Sequence, residues 1–355
     1  MKIVSIIGAR PQFIKAAPIS FALRKAEISE FILHTGQHYD KMMSAVFFDE
    51  MGIPKPDLNI DVRSGSHGYQ TGQMLIAIEQ ALLDVVPDKV LIYGDTNSTL
   101  AGALASRKLQ IPLAHIEAGL RSFNRTMPEE INRIIADHCA DILFCPTPTA
   151  VDNLKKEGII EGVQLVGDTM VDALLQFITI AENKSSVLTA LDLQTDDYYL
   201  ATIHRPYNTD DPDKMANIMT ALGSLDRHVI LPLHPRTKTK LADIFGEDQL
   251  DFMQNVRLIG PLGYLDMLLL EKNARMILTD SGGVQKEAYI LGVPCITLRP
   301  ETEWTETVSA GWNTIVGTSK SKIIAATQKP KPKNVSEPIF GNGDAAQKIV
   351  TIISN

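Results

Sequence analysis

The sequence predicts an α/β protein built from two successive doubly wound, Rossmann-type units, and three observations carry that prediction. Short β-branched runs alternate with amphipathic stretches of helical length, the βαβ pattern of a parallel sheet covered on both faces. The alternation starts afresh after Leu165-Val-Gly-Asp168. At 355 residues the chain is also long enough for two domains of ordinary size.

In the first unit, apolar runs bounded by turn residues predict strands at 3–7 (IVSII), 31–34 (FILH), 89–93 (KVLIY), 113–116 (LAHI) and 142–144 (ILF). Helical periodicity fills several of the gaps, as at 12–25 and 99–108. The second unit repeats the scheme with strands at 198–202, 228–231, 256–258, 276–278 and 294–298. The expected division is therefore 1–168 and 169–340, with a hinge near 168 and a connector at 329–333. A last helix at 344–353, within a segment 341–355, is expected to complete the first unit. Ligand is expected where strand carboxyl ends face each other.

Composition narrows the function classes. A 45% hydrophobic content with dispersed charge describes a packed soluble protein. The net charge of −8, pI near 5.5 and absence of a lysine-arginine run argue against nucleic acid as a general partner. Cys139, Cys145 and Cys295 are odd in number and set in apolar runs, which predicts reduced thiols in a cytoplasmic protein. The apolar core at 3–7 is too short for a signal peptide, and no run approaches the roughly 20 residues that span a bilayer.

Four constellations fall at strand ends. Gly8-Ala-Arg10-Pro11 follows the first strand, with Pro11 suited to a helix start and Lys15 one turn on, so Arg10 and Lys15 face an anion at a helix N-terminus. A turn with two solvated cations is the plain alternative. Tyr93-Gly-Asp95-Thr-Asn-Ser-Thr99 puts Asp95 at a strand end, either capping the next helix or reaching into the cleft. His115-Ile-Glu117 ends a third strand, and Pro128-Glu129-Glu130 opens a helix that carries Arg133. Glu129 by itself is an ordinary helix-dipole partner. Together, Asp95, Glu117 and Glu129 converge on one sheet edge, where neighbouring carboxylates shift one another's proton affinity and make general acids and bases.

The fourth constellation, Thr279-Asp-Ser281-Gly282-Gly283-Val-Gln-Lys-Glu287, is a strand end, two glycines and a helix start, a recipe for cradling a diphosphate. Glu287 lies one and a half turns in, placed to accept from sugar hydroxyls; a serine cap with packing glycines is the alternative. His204 and His234 each follow a strand, and neither has a Cys or His at ligand spacing, so no catalytic metal is expected.

With GARPQFIKAAP, GDTNSTLAG, HIEAGLRS, MPEEINR, the His204-Arg205 pair, TDSGGVQKEA and TEWTETV in this order, nearly the whole chain resembles the non-hydrolysing UDP-N-acetylglucosamine 2-epimerases. The resemblance implies a GT-B-like architecture and a cofactor-free isomerase that inverts C2 of a UDP-linked 2-acetamido sugar for surface polysaccharide precursors. UDP is eliminated to leave a 2-acetamidoglucal, and is then added back. It implies that Asp95, Glu117 and Glu129 move protons with help from His204. Arg10, Lys15, Arg133, Arg205 and His234 would surround the sugar and diphosphate. Ser281, Gly282, Gly283 and Glu287 would hold phosphate and ribose, while Leu262 and Met267 border the uracil. A homodimer is likewise implied. GARPQ, HTGQHYD and ETEW look more like the branch acting on UDP-2,3-diacetamido-2,3-dideoxy-glucuronate, and Trp304 stands where the acetylglucosamine enzymes carry a phosphate-contacting arginine. The segment at Gln37-His38 matches a region where some members bind a second UDP-sugar. A GT-B glycosyltransferase, a hydrolysing epimerase and a non-catalytic nucleotide-sugar sensor are the competing readings.

Overall fold

The computed structural model describes residues 1–36, 55–62, 65–233, 235–246, 255–333 and 337–354, the side chains of Arg10, Pro235 and Arg236 excepted. The chain divides into two compact units, Met1–Phe177 with Ile339–Asn355, and Ile178–Pro338. The first is a seven-stranded parallel sheet of β1 (Lys2–Ile7), β2 (Ser29–His34), β3 (Leu58–Asn59), β4 (Lys89–Tyr93), β5 (Leu113–Ile116), β6 (Ile142–Cys145) and β7 (Val163–Leu165). Its strand order is β3-β2-β1-β4-β5-β6-β7. The second holds β8 (Tyr198–Thr202), β9 (His228–Pro232), β10 (Val256–Ile259), β11 (Met276–Thr279), β12 (Cys295–Thr297) and β13 (Asn313–Ile315), in the order β10-β9-β8-β11-β12-β13. Each order reverses between the unit's first and fourth strands. That switch point, β1 beside β4 and β8 beside β11, leaves a crevice at the strand carboxyl ends because the flanking helices depart in opposite directions.

The α/β class with two doubly wound units is the one the sequence predicts. Three strands were not visible in it: β3, β7 and β13, all at sheet edges. An edge strand pairs on one side only and needs no buried apolar run; β3 is wholly exposed and β7 largely so. The central strands, by contrast, are buried on both faces: Val4, Ile6, Val90, Ile92 and Leu113 fill the first core, and Ala201, Val229, Leu231 and Leu278 the second.

Residues 167–168 and 340–341 meet inside the first unit. Asp168 N–H donates to the Phe340 carbonyl at 2.8 Å. Gly167 and Gly341, both at φ +95°, face each other so closely that a Cβ on Gly341 would stand 3.1 Å from the Gly167 Cα. The helix Ala345–Ser354 then packs on the helix Arg10–Lys25, its start held by Asp172, which accepts from Ala345 N at 3.3 Å and Ala346 N at 2.9 Å.

Candidate active site

At the first switch point, the turn after β1 is shaped by contact, and backbone freedom plays no part. A Cβ on Gly8 would lie 1.9 Å from Thr35 Oγ1 and 2.4 Å from Ser98 Oγ, so only glycine lets those hydroxyls approach. Gln12, in the first turn of the following helix, clamps both central strands. Its Oε1 accepts from Gly8 N at 2.8 Å and Ala9 N at 3.0 Å, while its Nε2 donates to the Tyr93 carbonyl at 2.8 Å and Thr99 Oγ1 at 3.1 Å. A buried amide satisfied at both ends is rigid, because any rotation strands a polar group.

Asp95 does not cap the next helix. Thr96 does, its hydroxyl accepting from Thr99 N, which frees the Asp95 carboxylate to pair with Arg133. Arg133 is itself aimed by Glu130, 2.8 Å away, and Glu130 is fixed by Ser122 N, Ser122 Oγ and Phe123 N, each at 2.9 Å. Glu130 is thus the scaffold and Asp95 the outward partner. On the opposite side Lys15 forms an ion pair with Glu117, both largely buried. Glu117 sits at φ +70°, a conformation that costs a residue with a Cβ roughly 1–3 kcal/mol and is retained where the surroundings hold it. Gly94, at φ +62°, backs this pair: a Cβ there would stand 3.1 Å from Lys15 Nζ and 3.2 Å from Glu117 Oε2. Glu129, half-buried in the first turn of the helix Pro128–Cys139, makes no hydrogen bond or ion pair among the described residues.

At the second switch point, Asp280 directly follows β11 and is fully buried. It accepts from His204 N at 3.1 Å, Arg205 N at 3.0 Å and Asn208 Nδ2 at 3.0 Å, and lies 3.2 Å from His204 Nδ1. Burial alone would raise its carboxyl, but the His204 ring and these N–H donors outweigh it and hold the group below the usual aspartate range. His204 is thereby fixed with Nδ1 toward Asp280 and its outer edge 44% exposed. Ser281 starts the helix Gly282–Ile290 without a side-chain cap bond, so the plain capping role fails and its hydroxyl is left over. Glu287 accepts from Tyr264 Oη at 3.0 Å, which ties this helix to Tyr264–Asn273, the helix that contains Met267 and follows Leu262, both half-buried.

Trp304 is buried, and the Lys286 ammonium stands 4.2 Å above its ring, a cation–π arrangement. Arg299 pairs with Glu303 at 3.1 Å. His234 and the Gln37-His38 segment lie outside the described residues, as does the side chain of Arg10. Sequence reasoning missed Asp280, Gln12 and Lys286; Asp280 carries the strand-end position that flagged Asp95, and the neighbouring glycines drew attention from it.

A model of the family described as UDP-N-acetylglucosamine 2-epimerase matches residues 22–354. The chain belongs to the UDP-N-acetylglucosamine 2-epimerase family. A Methanococcus maripaludis UDP-N-acetylglucosamine 2-epimerase homolog is 52% identical over the full length of both chains. The Pseudomonas aeruginosa UDP-2,3-diacetamido-2,3-dideoxy-D-glucuronate 2-epimerase is 47% identical, covering 100% of this chain and 99% of its own. The crystal structure of the Methanocaldococcus jannaschii UDP-GlcNAc 2-epimerase in complex with UDP-GlcNAc and UDP superposes with a TM-score of 0.92 at 47% identity, over 100% of this epimerase and 99% of that chain. The fold class is accordingly the GT-B-like one, and the chain is an epimerase, an isomerase by class.

Proposed function

We propose that this epimerase inverts C2 of a UDP-linked 2-acetamido sugar by eliminating UDP and adding it back. The observation that carries the proposal is the pair of carboxylates at the strand ends of the first sheet, Asp95 on Arg133 and Glu117 on Lys15, with Glu129 making no side-chain bond among the described residues in the helix that carries Arg133. The C2 proton is weakly acidic, so the C1–O bond must break as a carboxylate takes that proton. The bonding pair of C1–O leaves with UDP, and the C2–H pair becomes the C1=C2 bond of a 2-acetamidoglucal. A proton then returns to C2 on the other face, and the UDP oxygen re-forms the bond to C1. Asp95, Glu117 and Glu129 act as one coupled proton-transfer set. Lys15 and Arg133 hold charge next to them, and His204, aimed by Asp280, serves the departing diphosphate. Ser281, Gly282 and Gly283 offer the helix N-terminus to phosphate, Arg205 adds a cation for the anion, a role that Arg10 and His234 take by family resemblance alone, Glu287 takes ribose, and Leu262 and Met267 border the base.

Proton NMR in D₂O with UDP-N-acetylglucosamine and, in parallel, UDP-2,3-diacetamido-glucuronate is the test. Deuterium appearing at C2 with a new manno signal is the expected result, and the sugar that exchanges assigns the branch. Free UDP accumulating with each turnover would instead mark a hydrolysing enzyme, and no exchange with either sugar would defeat the proposal.

We further propose a cytoplasmic homodimer. Among the described residues no helix is long and apolar enough to cross a membrane. On the helix His67–Val85, Tyr69, Ile76 and Leu83, seven residues apart, are 61%, 64% and 55% exposed, an apolar stripe of the kind that helices cover by pairing. Sedimentation equilibrium should give twice the chain mass, and Ile76→Glu with Leu83→Glu should give monomer; a wild-type monomer at micromolar concentration rules the dimer out.

A further inference from the structure

The buried histidine of the HIEAGL stretch has no role in the proton chemistry above, yet both of its ring nitrogens are engaged. His115, in β5, is fully buried. Its Nε2 lies 2.7 Å from the Gly94 carbonyl oxygen and its Nδ1 lies 2.7 Å from Asp137 Oδ1. A carbonyl only accepts, so Nε2 carries a proton. Asp137 is also buried, and its other oxygen accepts from Gly119 N at 3.1 Å and Arg121 Nη1 at 2.7 Å. Burial would raise the Asp137 carboxyl, but the His115 ring and the Arg121 guanidinium outweigh it and hold the group below its usual range. One proton lies between His115 Nδ1 and Asp137 Oδ1, and the Arg121 guanidinium and Gly119 N–H on the other oxygen favour the arrangement in which the ring holds it. Arg121 is shared with Glu157, at 2.6 and 2.8 Å, so its guanidinium faces two carboxylates, and His138 Nε2 stands 3.4 Å from Glu157 Oε2.

The cluster reaches both acid-bearing turns. Gly94, whose carbonyl His115 holds, is followed at once by Asp95, and its N–H is fixed by the Ile116 carbonyl at 2.9 Å. Gly119, whose N–H Asp137 holds, lies two residues after Glu117 in a turn at φ +80°, with a would-be Cβ 2.4 Å from the Ala150 carbonyl oxygen. We infer that Asp137 and a doubly protonated His115 are positioning residues for the epimerase reaction, a charged strut that sets the spacing between the Asp95 and Glu117 turns. The inference rests on the proposed chemistry for its consequence, though not for its geometry.

Two measurements test it. In histidine-labelled, full-length wild-type protein at pH 7.5, nitrogen NMR should show a ring with protons on both nitrogens that is lost in His115→Asn; if every buried ring instead has one bare nitrogen, the inference is overturned. Asp137→Asn, checked for folding by circular dichroism, should lower kcat for C2 exchange by about 10²-fold, since small misplacements of reacting groups carry penalties of that size. Its KM and its dissociation constant for UDP should change less than threefold. A folded Asp137→Asn with wild-type kcat, or one that loses UDP binding and kcat in equal measure, overturns it. If the wild-type protein exchanges no UDP-sugar, the functional reading has failed, and the nitrogen spectrum still decides the protonation of the strut.

Discussion

Glu117→Gln is expected to lower kcat by about 10²-fold or more while leaving the fold intact, because general acid-base groups contribute factors of 10² to 10⁴. The amide keeps the shape that tolerates φ +70° and the contact with Gly94, so the change isolates charge from packing. What it removes is the anion opposite Lys15, along with a proton acceptor at the switch point. Asp95→Asn should have a comparable effect through Arg133, and Glu129→Gln should abolish proton transfer without disturbing an ion pair. The three losses should combine to less than their product, since a coupled set fails as a unit. Initial rates of C2 deuterium uptake for each single amide and for the triple variant are the measurement. Near-normal turnover in all three singles would remove these residues from the chemistry.

Asp280→Asn is expected to cost both rate and stability. The carboxylate accepts from two backbone N–H groups, the Asn208 amide and the His204 ring. An asparagine offers one acceptor oxygen and turns an NH₂ toward donors, leaving buried groups unpaired at a cost of about 3 kcal/mol. The His204 ring also loses the carboxylate that orients it, and kcat should drop about 10²-fold. Since folding holds Asp280 below its usual range, the stability it supplies is present at neutral pH and is lost as the pH falls below about 4. Urea titrations from pH 7 to pH 3 should therefore show a flatter acid limb for the variant. A variant with unchanged urea midpoint and unchanged rate would mean that Asp280 neither supports the turn nor aims His204.

The sequence announced the strand-end acids because a doubly wound sheet leaves its crevice there, and the periodicity was strong enough to locate Asp95, Glu117 and the Ser281-Gly282-Gly283 turn at strand ends. It did not announce partners. The Asp95–Arg133 pair spans 38 residues and the His204–Asp280 contact 76, and no local pattern reports which side chains meet at such separations. The same limit hid the role of Gly8, where the hydroxyls of Thr35 and Ser98 come too close for a Cβ. Glu130 and Glu129 are neighbours of identical type; only the fold shows that one is locked into a loop and the other is not. The edge strands β3, β7 and β13 escaped for the opposite reason, having too little burial to leave a pattern, whereas the edge strand β10 kept enough apolar residues to be read.

The meeting of Gly167 with Gly341 has a consequence for biosynthesis. The second unit is an insertion between two adjacent points of the first, so all of it is synthesised before residues 339–355 exist to close the first unit. At roughly 5–20 residues per second, the amino-terminal sheet waits on the order of ten seconds for its covering helix, with the underside of Arg10–Lys25 bare meanwhile. The inserted unit, which contains all of its own strands, is the part free to fold during that wait. Chaperone capture should therefore favour nascent chains stalled near residue 338 over the released full-length chain.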